Sequence, residues 1–95
     1  MSKRKYRIIE EKYEHVSHFY PQYKDEDVVH YILGQDENGN DIKSEYQYFG
    51  SWDENSKWKR HMFYGLPQSR KRIEMDIKQR RIEELKETII HEYWT

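Results

Sequence analysis

The sequence predicts an α+β fold: an antiparallel sheet of four to six strands, covered on one face by a single helix at about 67–86 and closed by a strand at 87–94. Three observations carry this. Short runs rich in aromatic and β-branched residues recur between turn signals through the first two thirds of the chain. An Asn38-Gly39 pair sits between two such runs. Only after Pro67 does an apolar spacing of three and four replace the alternation of two.

Residues 5–13 (KYRIIEEKY) form the first expected strand and 16–24 (VSHFYPQYK) the second, with Glu14-His15 as the tight turn. Pro21 cannot donate to a ladder, which places the second strand at a sheet edge or gives it a bulge. Asp25-Glu26-Asp27 is a charged link. Residues 28–33 (VVHYIL) are the most apolar strand. They run into 34–41 (GQDENGND), a turn centred on Asn38-Gly39, where both central positions tolerate positive φ. The return strand is 42–49 (IKSEYQYF). Residues 51–56 (SWDENS) read as a polar turn and 57–64 (KWKRHMFY) as a fifth strand.

Gly65-Leu66-Pro67 then ends the strand pattern, and Pro67 suits the first turn of a helix because its missing N–H would have had no partner there. Leu66, Arg70, Ile73, Ile77 and Arg81 share one helical face, whose aliphatic centre, Ile73 and Ile77, is expected to meet the sheet. Met75, Ile82, Leu85, Ile89 and Tyr93 lie almost opposite. Thr88, Ile89, Ile90, Tyr93 and Trp94 favour a final strand over a longer helix.

Ninety-five residues suffice for one domain, 1–95, with a modest core. Hydrophobic residues are 35% of the chain and charged ones 37%, yet nine Tyr, three Trp and three Phe argue against disorder. The absence of Cys excludes disulfides, thiolate nucleophiles and Cys-based zinc sites, and suits a reducing cytoplasm. No apolar run approaches the roughly 20 residues of a membrane span, so no membrane partner is expected.

Charge is distributed in blocks. Residues 1–23 carry +2, 24–56 carry −7, 57–81 carry +7 and 82–95 carry −3, for a net −1. Such segregation speaks to partners and not to fold. Lys57, Lys59, Arg60, Arg70, Lys71, Arg72, Lys78, Arg80 and Arg81, interleaved with Trp58, Phe63 and Tyr64, are the candidate nucleic-acid contacts: cations neutralise phosphates and rings stack bases. Asp36, Glu37 and Asp41 at the acidic hairpin, with Tyr46, Tyr48, Trp52 and Trp58 as aromatic anchors, are the candidate protein-partner contacts. Against this stand two plainer readings: the cations pair with the chain's own carboxylates, and half of the aromatics are core.

Chemistry has little footing. His15, His18, His30, His61 and His91 fall in no metal-ligand spacing, and the serines and glycines make neither a nucleophile elbow nor a phosphate loop. No cofactor, metal or catalytic residue is expected.

The stretch 5–24 (KYRIIEEKYEHVSHFYPQYK), above all Phe19-Tyr20-Pro21-Gln22-Tyr23-Lys24, resembles the opening of small proteins from phages and mobile elements of Bacteroidetes and their relatives. The likeness also touches 66–77 and the closing KETIIHEY. It implies a short antiparallel sheet, one covering helix and a terminal strand; residues 25–64 depart from it through a longer hairpin. Accessory proteins of that origin often resemble inhibitors of host defence, anti-CRISPR proteins included, which bind a nuclease or its guide RNA and do no chemistry. The expectation is therefore a non-catalytic binding protein that engages a host nuclease or ribonucleoprotein effector. The alternative is a small RNA- or DNA-binding module using the helix at 70–81. A terminal strand and a proline-bearing edge also allow a homodimer.

Overall fold

A computed structural model describes residues 3–94 and shows an α+β fold of antiparallel strands with one helix packed on them. The first two strands, β1 (Arg4–Lys12) and β2 (Ser17–Asp25), pair over nine positions from Arg4↔Asp25 to Lys12↔Ser17. Their turn is closed by the Tyr13 N–H donating to the Val16 carbonyl at 2.8 Å. A ribbon follows, β3 (Tyr31–Gln35) against β4 (Asp41–Ser44). The short β5 (Gln47–Tyr48) then returns to β2, giving a three-stranded sheet in the order β1-β2-β5. A second ribbon, β6 (Gly50–Trp52) with β7 (Trp58–Arg60), precedes α1 (Leu66–Leu85).

The expected single sheet is thus one sheet and two ribbons. Local chemistry explains each split. The third strand begins at Tyr31, because residues 25–28 close a turn in which the Val28 N–H donates to the Asp25 carbonyl. Gly34 at φ 144° and a register shift between Ile32 and Gln35 bend the first ribbon. The Ser44 hydroxyl donates to the Tyr46 carbonyl at 2.7 Å, breaking the expected return strand into β4 and β5. Residues 57–64 keep only three strand positions, although Phe63 and Phe19 exchange both backbone bonds at 2.8 and 2.9 Å.

Pro21 lies in the central strand, not at an edge. Its carbonyl accepts from the Phe49 N–H at 3.3 Å, so the side of β2 on which it lacks a donor is the β5 side. There the ladder lasts only two pairs, and little is lost.

Two ribbon turns share one design. Asp36 Oδ1 accepts from the N–H groups of Asn38 and Asn40, and Asp53 Oδ1 accepts from those of Asn55 and Lys57, all at 2.9 Å. Each turn needs one left-handed residue: Gly39 (φ 80°) in the first and Ser56 (φ 58°) in the second. Asn38 is not among the residues with positive φ, so the Asn-Gly turn is a three-residue loop capped by Asp36, not the two-residue type expected.

The sheet has two differently covered faces. Strand alternation puts Arg4 and Tyr6 on the α1 side, joined by Tyr23 and the buried Phe49. Tyr6 stacks on Phe49 with ring centroids 6.3 Å apart, and Tyr23 lies 4.9 Å from the same ring. The other face holds the buried Tyr20 and Gln22, the Gln22 amide oxygen accepting from Arg7 Nε at 2.6 Å. Gly50 has no room for a side chain, since a β-carbon there would lie 2.5 Å from the Lys59 carbonyl and run into the Trp58 ring.

The helix docks through Ile73 as expected but not through Ile77. Its sheet side comprises Ser69, Arg72, Ile73, Asp76 and Arg80, whereas Ile77 is 41% exposed. Ser69, fully buried, marks the closest approach. Asp76 does most of the fastening: its carboxylate accepts from Arg4 Nη1 at 3.3 Å and from the Tyr6 hydroxyl at 2.7 Å. Arg4 also forks onto Asp25 at 2.7 and 3.1 Å and lies 4.0 Å over the Tyr23 ring.

The final strand expected at 87–94 does not form. Lys86 leaves the helix in extended backbone, and residues 86–94 join no described ladder and are exposed. The molecule measures 65 × 36 × 31 Å with a radius of gyration of 17.6 Å, well above the roughly 12 Å of a compact chain of this length.

Two outcomes follow for stability. Arg4→Met strands two part-buried carboxylates and lowers the unfolding free energy in urea by about 2–3 kcal/mol. It also flattens the acid limb. The Arg4 hydrogen bond holds the Asp25 carboxyl below its ordinary value, so that bond's contribution is present above about pH 4 and is lost as pH falls further. Tyr6 behaves in the opposite sense: burial and Asp76 push its hydroxyl up to about 12, so its contribution holds below about pH 10 and fades toward pH 12. Tyr6→Phe should show a shallower alkaline loss than the parent protein. Separately, the Ser69 hydroxyl is buried without a hydrogen-bond partner among the described residues. Ser69→Ala is therefore expected to raise thermal stability, by about 1 kcal/mol.

Candidate functional site

The positive charge of α1 falls into two populations. Residues on the sheet side are held by neighbours. Arg72 lies 4.4 Å over the Phe49 ring and donates through Nε to His61 Nδ1 at 3.4 Å. Arg80 is half-buried and acts electrostatically on Asp25 and Tyr6. Arg70, Lys71, Lys78 and Arg81 are exposed instead and form no ion pair with any described residue. The three-and-four spacing of a helix assigns these roles, since 69, 72, 73, 76 and 80 share the sheet side and 70, 71, 78 and 81 fall outside it.

Between the start of β1 and the second half of α1 lies an open cleft of about 750 Å³. Lys3, Arg4, Arg80 and Arg81 line it, with Tyr6 and Ile77 beneath and Glu84 as its one carboxylate. Arg4 is engaged with Asp25 and Asp76, which leaves Lys3 and Arg81 as its more open charges. Arg81 belongs to both the cleft and the outward set, so the two are continuous. With Tyr6 protonated far above neutral pH, the cleft offers cations and a hydroxyl already committed to Asp76. It can attract and hold an anion. The sequence expectation included Arg80 and Arg81 but missed Lys3, Arg4 and Tyr6, which sit some seventy positions away along the chain.

The remaining predicted cations divide the same way. Lys57 is exposed in the second ribbon turn, and Lys59 pairs with Asp53 at 3.6 Å. Arg60 is engaged within the fold. Its guanidinium lies 3.8 Å over Tyr20 and 5.0 Å from Tyr48, and it reaches Glu11 at 3.2 Å. Arg60 and Arg72 are thus structural residues.

Of the expected protein-partner contacts, Trp52 and Trp58 face each other across β6–β7 and are 71% and 41% exposed. Tyr46 and Tyr48 are half-buried, Tyr46 under the Arg7 guanidinium at 3.9 Å and Tyr48 edge-on to Tyr20 at 5.9 Å. Those two serve the sheet. Asp36 caps its own turn, and Glu37 and Asp41 are exposed beside it. An acidic tip and an exposed tryptophan pair therefore sit on separate ribbons.

Among the described residues no three His, Cys, Asp or Glu side chains gather as metal ligands, and no helix is long and apolar enough to cross a membrane. His61 is held neutral to lower pH than usual by burial and the nearby Arg72 charge; its Nε2 lies 3.3 Å from the Ser51 hydroxyl. Comparison of the chain with protein-family models, curated proteins and solved structures gives no match.

The split between structural and outward cations is measurable. Arg60→Lys keeps the charge but loses the flat stack on Tyr20, and should cost about 1 kcal/mol in urea unfolding. Lys71→Ala, on the outward face, should change the same measurement by less than about 0.5 kcal/mol.

Proposed function

We propose that the chain is a non-catalytic binding protein that engages a nucleic-acid-processing partner, as anti-CRISPR inhibitors engage a nuclease effector or its guide RNA. The observation that carries this is the set of outward cations Arg70, Lys71, Lys78 and Arg81, which form no ion pair with any described residue and are continuous with the Lys3–Arg81 cleft. A charged side chain kept from its own chain's counter-charges is available to another molecule's phosphates or carboxylates. The exposed Trp52–Trp58 pair and the acidic tip at Glu37 and Asp41 supply a different surface, of the composition that protein interfaces use. The inhibitory role itself rests on the resemblance carried by residues 19–24. Affinity capture from host cells, followed by mass spectrometry, should recover a nuclease or ribonucleoprotein. Recovery of neither, with the bait folded and in excess, would count decisively against this role.

The continuity of cleft and helix also favours a second reading, direct binding of single-stranded RNA or DNA. Four to five phosphate contacts imply a log–log salt slope of about −3 for a single strand, or roughly 60-fold weaker binding from about 50 to 200 mM salt. Lys71→Glu combined with Arg81→Glu should reduce that slope by about 1.5, whereas Lys57→Ala, on the distant ribbon turn, should leave it nearly unchanged. A flat oligonucleotide titration at about 50 mM salt removes this reading while leaving a protein partner in place.

A further inference from the structure

β1 is the outer strand of the three-stranded sheet, and no described strand pairs with its free edge along Arg4–Lys12. A regular edge of nine residues is a standing template for another strand. The chain also carries a segment suited to that role. Residues 86–94 lie outside any helix or ladder and are exposed, with β-branched Thr88, Ile89 and Ile90 followed by Tyr93 and Trp94 at 91% and 88% exposure.

Geometry and charge decide whose tail fits whose edge. Lys3 and Arg4 share the cleft with Arg80, Arg81 and Glu84, so α1 ends at the Arg4 end of β1. A chain's own tail entering there would run parallel to β1. Parallel ladders are weaker per residue than antiparallel ones, and with Lys86 beside Arg4 that register meets like charges at Lys86–Arg4 and Glu92–Glu10 against one opposite pair, Glu87–Lys5. Antiparallel entry starts at Lys12, about 27 Å away along the strand, beyond the reach of the same tail if it is also to pair. One antiparallel register puts Glu87 opposite Lys12 and Glu92 opposite Arg7, two cations that form no ion pair with any described residue. It also sets Ile90 against Ile9, Tyr93 against Tyr6 and Trp94 against Lys5. No like charges meet.

We propose that residues 87–94 of one copy add as an antiparallel strand to the β1 edge of a second copy, and that the exchange is reciprocal. The two-fold pairing uses the same surfaces on both partners and covers the free edge of β1 on each. The tail fails to find a place within its own chain because its complement is on the other protomer.

Sedimentation of the full chain at about 100 µM should give twice the 12.0 kDa monomer mass. Ile90→Pro removes a donor and stiffens the tail, and should return the protein to monomer with an unchanged unfolding midpoint, because residue 90 is unpaired in the monomer. Lys12→Glu and Glu87→Lys should each weaken the dimer about three- to ten-fold, and the double exchange should restore it to within about two-fold. Since the chain has no cysteine, Lys12→Cys mixed with Glu87→Cys reports the register directly through an intermolecular disulfide. A monomer at the highest concentration overturns the proposal and leaves the tail to a foreign sheet edge. So does a dimer indifferent to Ile90→Pro, which would use another surface, or an intramolecular bridge in the doubly substituted chain, which would show the tail folding back on its own sheet.

Discussion

One guanidinium ties the molecule together. Arg4 sits in the first strand, forks onto Asp25 in the second, reaches Asp76 in the helix and lies flat over Tyr23. Three elements distant in sequence meet on one side chain, and Tyr6 adds its hydroxyl to the same Asp76 carboxylate. Most helices pack on sheets through an aliphatic stripe. This one packs through a small buried serine, an aspartate and two arginines, with Ile73 as its main apolar contribution. Only arginine serves here, since its planar group can hydrogen-bond two carboxylates at the edge while its face covers a ring. The same device recurs: Arg7 over Tyr46, Arg60 over Tyr20 and Arg72 over Phe49. Rings with cations laid on them replace the aliphatic residues that the composition lacks.

That construction changes how the charge of the chain is to be counted. The +7 block at 57–81 is partly an internal material. Arg60 and Arg72 are consumed by ring faces and Lys59 by Asp53, while Arg4, outside the block, is consumed by two carboxylates. What projects outward is narrower and more localised, along one flank of α1 and the lip of the cleft. Partial internal pairing therefore sharpens the electrostatic surface instead of erasing it, because the charges left over cluster on one element.

The sequence made the local parts of this readable. Two aromatic-rich runs separated by Glu14-His15 announce the β1–β2 hairpin, Asn38-Gly39 announces a ribbon, and Pro67 marks where the helix starts. Where the reading failed, the cause was non-local. Periodicity selects the apolar side of a helix, and Ile73 with Ile77 is the apolar side; the real seam depends on Arg4, seventy-two positions from Asp76. The cleft was invisible for the same reason, its two walls coming from opposite ends of the chain. The second ribbon turn was legible from its polar residues 51–56, but its left-handed position at Ser56 was not, because the usual signal is glycine and here Asp53 fixes the turn through its side chain. Pro21 read as an edge residue only because the brevity of β5 could not be foreseen.

The tail shows the limit of such reading most clearly, since its strand propensity was legible and its strand is absent. Ordering eight or nine residues costs about 13 kcal/mol in backbone freedom. Burying Ile89, Ile90, Tyr93 and Trp94 returns about 8 kcal/mol, and four or five ladder hydrogen bonds about 5 more. The sum lies near zero, so neither propensity nor burial alone can order the segment; register and charge must tip it. Within the chain the approach to β1 from the end of α1 is parallel, the weaker ladder per residue. The segment therefore stays out in solvent, and with it a large part of the apolar surface that a chain of this size would otherwise bury. With that segment exposed and the β1 edge unpaired among the described residues, both halves of the exchange proposed above are open at once.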